Sequence, residues 1–162
     1  MLNPVPGFTR SLTALTKILE KAEAHAEAHK IKPEVIPQLR LIADMLPFWR
    51  QVTIACDHAK GATARLGQVE NPSMADVETT LGELQERIAK TIAFMASVPA
   101  SAFEGAEGRK VTIKQGGQDR VLDASDYFYS IAIPNFYFHM ATAHDILRAN
   151  GVQVGKGDFI GY

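Results

Sequence analysis

Four long stretches carry an apolar residue at every third or fourth position, and proline and glycine cut them apart, which leaves this chain little to become except packed helices. From Phe8 to about Lys30, Leu12, Leu15, Leu19, Ala22 and Ala26 make one stripe, while Arg10, Lys17, Glu20, Lys21, Glu23 and Glu27 fill the other positions. Pro33 and Pro37 interrupt the pattern, and Glu34–Met45 reads as a short helical segment ending near Pro47, because the residue before a proline is driven out of the helical region. Pro47 suits the first turn of a second long helix. This helix runs to about Leu66 with Trp49, Val52, Cys56, Ala59 and Thr63 on one stripe, and Gly67 closes it. Asn71-Pro-Ser73 reads as a start signal for a third, with Val77, Leu81, Leu84, Ile88, Ile92 and Met95 as its apolar face up to Val98, before Pro99 ends it.

Between Gly105 and Asp123 the character changes. Val111, Ile113, Val121 and Leu122 flank Gln115-Gly-Gly-Gln118, a turn suited to a small β-hairpin. Asp123-Ala-Ser-Asp126 then offers capping oxygens for a last helix that reaches Asn150, stops at Gly151 and is bent by the internal Pro134. The expected architecture is all-α, a four-helix bundle with a small β-hairpin inserted before the last helix, formed by residues 1–162 as one domain. From Tyr127 to Ala143 the last helix is apolar almost all the way round, more than one core face requires, so a homodimer is expected.

A hydrophobic fraction of 46% and a net charge of -1 give no field that would gather nucleic acid or an anionic membrane, and neither partner is expected. No apolar run approaches the ~20 residues of a membrane span, and two prolines break the N-terminus before any signal-length run. With Cys56 the single cysteine, no internal disulfide can form, and a reducing cytoplasm is the expected setting.

The histidines come closest to a chemical signature. His139 and His144 are five residues apart on the last helix, a step that turns their directions about 140° apart, so they cannot grip one ion together. His139 shares a stripe with Asn135 and Thr142 and faces the bundle interior, either as a buried, hydrogen-bonded imidazole or as a ligand or acid-base group in a pocket. His58 lies on a second-helix face with Gln51 that could meet His139 across the bundle. His25 and His29 have chelating spacing but sit on a solvated helix end without a third ligand, and Cys56 reads as a small buried residue rather than a nucleophile.

Phe48-Trp-Arg-Gln-Val-Thr-Ile-Ala-Cys-Asp-His-Ala-Lys-Gly61, Ile133-Pro-Asn-Phe-Tyr-Phe-His139, Leu147-Arg-Ala-Asn-Gly151 and Gly155-Lys-Gly-Asp-Phe159 together resemble an uncharacterised domain-of-unknown-function family of the DinB/YfiT-like superfamily. The resemblance implies an up-down-down-up bundle, often dimeric. In better understood relatives three histidines hold a divalent metal, one from the second helix and two from an i, i+4 pair on the last. Those positions fall here on Gln51, His139 and Ala143, which leaves one imidazole of three. The expected role is therefore small-molecule binding or an accessory function, with a polar pocket around Gln51, His58, Asn135 and His139, no metal site and no cofactor. The rival is a metal-dependent transferase or hydrolase using His139 as a ligand.

Overall fold

A computed structural model describes all 162 residues. In chain order the elements are α1 (Val5–Ala28), a single turn α2 (Val35–Gln38), α3 (Phe48–Gly67) and α4 (Leu81–Ser97). Two 3₁₀ turns then lead into β1 (Lys110–Gln115) and β2 (Gln118–Asp123), and the chain closes with α5 (Ala124–Tyr127), α6 (Ile133–Ala149) and α7 (Lys156–Ile160).

Side-chain neighbours fix the helix directions. Along α3 and α4, Asp57 meets Arg87 and a Cβ on Gly67 would lie 3.1 Å from Val98, so positions rise together and the two helices are parallel. Between α3 and the last helix the order reverses, since Gln51 and His58 meet His139 while Arg65 meets Tyr127. Phe8 stacks on Phe136 at 4.2 Å and the end of α1 reaches Gly151, which makes α1 and α6 parallel. Glu23 of α1 meets Gln85 near the start of α4, which makes that pair antiparallel. The result is the up-down-down-up bundle.

A parallel α3–α4 pair needs a return strand, because α3 is about 30 Å long at ~1.5 Å per residue. Residues 68–80 supply it, since an extended stretch of that size reaches about 40 Å. The expected helical start at Ser73 is therefore corrected: α4 begins only after Thr80, whose hydroxyl accepts from the Glu83 N–H while the Glu83 carboxylate accepts from the Thr80 N–H at 3.0 Å. Val77, expected on the apolar face, is 73% exposed on the return strand. The segment expected to be helical over Glu34–Met45 is reduced to the single turn α2, as Leu39 already has extended backbone.

Leu12, Leu15, Ile18 and Leu19 of α1 are fully buried with Val52, Cys56, Leu84, Ile88, Phe136 and Ile146 in one contiguous core. Each such aliphatic side chain stabilises the fold by ~1.5–3 kcal/mol relative to exposure. Gly67 is the last residue of α3 and Gln68 takes the left-handed conformation, so the glycine serves packing: a Cβ there would press on Val98 and Phe103. The hairpin forms as expected, with Gly116 and Gly117 both at positive φ between Gln115 and Gln118. Pro134 is accommodated by a π-turn over Phe128–Ala132, which widens the helix just before the residue that can donate no hydrogen bond. No helix is long and apolar enough to cross a membrane.

Candidate functional site

Antiparallel packing of α3 on α6 brings three of the four sequence-derived site residues together. Gln51 is buried on the first turn of α3, and its amide nitrogen donates to the Leu46 carbonyl at 3.0 Å. Only the amide nitrogen can donate to a carbonyl, so the orientation of the group is settled and its oxygen faces the last helix. That oxygen lies 2.7 Å from His139 Nδ1. An acceptor there requires the proton on Nδ1, and in the neutral ring Nε2 then carries a lone pair, which makes no hydrogen bond within the protein. Burial, with the charges of His58 and Arg50 adding to it, pushes His139 down to about 4, so the ring is neutral at pH 7.

His58 stands two turns along α3 with its ring stacked on His139, centroids 5.9 Å apart and planes 15° from parallel. Burial lowers its pKa, Asp57 opposes this and Arg65 reinforces it. Asn135 is half-buried one turn before His139, and its amide donates back to the Ile131 carbonyl at 2.7 Å. His144 lies elsewhere, against Asp145 at 2.9 Å and the Phe159 ring, as the angular argument required. The His25 and His29 rings stack on each other at 4.2 Å, with His29 exposed. Cys56 is fully buried, and burial pushes its thiol up to about 12.

Two clefts open beside His58. One, of about 470 Å³, lies between α3 and the return strand and is lined by Arg65, Asn71 and Ser73. The other, of about 550 Å³, lies between α3, the hairpin and the last helix and reaches Tyr127 and Ile131. Of the three positions that family resemblance assigns to metal, Gln51 offers an amide oxygen already bonded to His139, and Ala143, fully buried, offers no donor atom. No group of three His, Cys, Asp or Glu side chains gathers with metal-binding geometry anywhere in the chain.

A family described as Domain of unknown function (DUF1993) matches residues 3–160. The chain belongs to this family. The DUF1993 chain is also similar to a solved crystal structure of a DinB family member protein from Shewanella denitrificans, with 42% identity over 98% of this chain and 89% of that one and a TM-score of 0.89. No curated protein matches it. The DinB resemblance drawn from the motifs is thus matched at the level of the whole fold.

An ion-pair network beside the site escaped the sequence reading. Arg87, 2% exposed on α4, donates to Asp57 Oδ1 at 3.0 Å, to Glu78 Oε1 at 3.0 Å and to the Ala75 carbonyl at 2.9 Å, tying the return strand to α3. Arg50 pairs with Asp76 on the same strand. Burial pushes the Arg87 guanidinium down, but Asp57 and Glu78 outweigh it and hold the charge above its usual value. One signal was available: Arg87 shares the helical face of Leu84, Ile88 and Thr91, where an unpaired charge could not stand.

Proposed function

We propose that this DUF1993 protein is a small-molecule binding or accessory protein whose recognition centre is the Gln51–His139 pair with His58 beside it, and that the three-donor metal site implied by its superfamily is not formed. The carrying observation is the 2.7 Å contact between the Gln51 amide oxygen and His139 Nδ1. It commits one imidazole nitrogen to a neutral partner and leaves the other with a lone pair unbonded within the protein. A ring with its pKa near 4 is a poor base and a good neutral acceptor at pH 7, which favours recognition over proton abstraction. Amide oxygen plus a single imidazole is a weak set for zinc or nickel, and the buried methyl of Ala143 adds nothing to it.

The test is a fragment screen read on the histidine ring resonances. Fragments carrying an N–H or O–H donor are expected to move His139 Nε2 and leave Nδ1 in place. A screen in which hits avoid both His139 and His58, or in which His139→Ala leaves the affinity of every hit unchanged, would refute the reading.

We also propose that a second copy of the chain covers the last helix on its Phe138 side, where that ring is 56% exposed. A two-fold axis across that face pairs the ring with a copy of the same surface. Light scattering at micromolar concentration should give a dimer that Phe138→Asp dissociates, and a monomeric native protein removes the proposal.

A further inference from the structure

Arg65, exposed on the last turn of α3, is a charge without a carboxylate partner. No carboxylate lies within salt-bridge distance of it, whereas the other basic side chains of α3 are engaged: Arg50 with Asp76, and Lys60 with the Pro72 carbonyl at 2.6 Å and Asp57 at 3.5 Å. The guanidinium is nevertheless held in place. It lies over the Tyr127 ring at 5.7 Å, donates to the Tyr127 hydroxyl at 3.3 Å, and folds back across Gly61, where a Cβ would stand 2.5 Å from its Nη1. Glycine at position 61 is what leaves room for this pose. His58, one face along, makes no hydrogen bond through either ring nitrogen, and Arg65 and His58 line both of the clefts described above.

Within the two clefts the charges nearly cancel once Arg65 is set aside. Asp57 faces both Arg87 and Lys60, and Lys114 and Asp119, opposite each other in the hairpin register without a salt bridge, cancel in net charge. His58 is neutral at pH 7, held low by burial against the pull of Asp57. A net charge of one positive unit remains, with Arg65 flanked by hydrogen-bonding groups on one side and by Ile113, Ile131 and Tyr127 on the other. A guanidinium fork matches a carboxylate in shape and in single charge, and a dianionic phosphate would meet too little positive charge here. The volume of about 550 Å³ suits a small molecule.

We infer that the clefts on either side of His58 form a binding site for a small monocarboxylic acid, with the carboxylate on Arg65 and His58 and its apolar body against Ile113, Ile131 and the Tyr127 ring. The inference deepens the reading above by naming the ligand class, and rests on its placing a ligand beside His58, midway along α3.

Calorimetric titration of the native protein with phenylacetate, phenylacetamide and inorganic phosphate tests it. Phenylacetate should bind at least about tenfold more tightly than the amide and than phosphate, and should move the His58 ring and the Ile113 and Ile131 methyl resonances. Arg65→Gln should weaken it about tenfold or more, since a charge-assisted bidentate contact is lost. Gly61→Ala should do the same by displacing the guanidinium while leaving the helix intact, because alanine favours helix. Equal binding of acid and amide, phosphate binding as tightly as phenylacetate, or affinity untouched by Arg65→Gln and Gly61→Ala would each overturn the inference. Phenylacetate that moves His139 but ignores Arg65 would overturn it and leave the broader reading standing, whereas loss of every probe's effect at both histidines would sink the two together.

Discussion

Replacing Gln51 by glutamate puts a carboxylate where the amide oxygen now accepts from His139 Nδ1 at 2.7 Å. In the native protein His139 is displaced from 6.5 to about 4, with burial as the main cause. A displacement of that size is worth ~3 kcal/mol at a fully buried site, and solvent screening of this half-buried ring reduces it to about 1–2 kcal/mol. The sign follows from proton counting. Between pH 4 and 6.5 the unfolded chain binds a proton at His139 that the folded chain refuses, so this contribution to stability is complete above about 6.5 and is lost as pH falls towards 4. A carboxylate partner favours the imidazolium and should raise the His139 midpoint by roughly 1–3 pH units. The variant should therefore lose most of the destabilisation seen on acidification through that window. It should also be less stable near pH 7, by about 1 kcal/mol, because the amide donor to the Leu46 carbonyl is gone. Ring-resonance titrations of both proteins, with urea denaturation at several pH values, measure all three quantities. A native His139 titrating near 6.5 would contradict the burial that lowers it, and a variant whose midpoint stays near 4 would show that the side chain at position 51 does not face the ring.

Three further outcomes are expected. Arg87→Met should cost about 2–3 kcal/mol in denaturation, because it strands the largely covered Glu78 carboxylate without its cation and leaves the half-exposed Asp57 only Lys60 at 3.5 Å; a loss under about 1 kcal/mol would mean the network does not secure the return strand. The same variant should be cleaved faster by protease within residues 68–80, and unchanged cleavage would argue the same way. Cys56, fully buried with its thiol raised to about 12, should resist a thiol reagent at pH 8 until the protein unfolds, and rapid labelling of the native state would contradict its placement.

The four long helices and the hairpin were legible because their signals are local: a 3.6-residue apolar period, prolines at the breaks, and a Gly-Gly turn between alternating strands. The return strand was not, because Val77 continues the apolar step to Leu81 and Asn71-Pro-Ser73 imitates a helix start. The pair that does start α4, Thr80 and Glu83, stands seven residues further on and could have been weighed against it. His139 facing Gln51 and His58 followed from stripe geometry once the helices were placed. Arg65 on Tyr127 did not, because nothing local predicts which residues of two antiparallel helices fall opposite each other. Nor does periodicity reveal that a glycine inside α3 makes room for a guanidinium rather than marking a helix end.

Metal content tests the central claim most directly. Protein purified without an affinity tag, from cells grown with zinc, nickel and iron supplied, should contain each of them at far less than one atom per chain by elemental analysis, and His139→Ala should leave those values unchanged. One atom of any of the three per chain, lost on His139→Ala, would mean that the imidazole paired with Gln51 is a metal ligand after all.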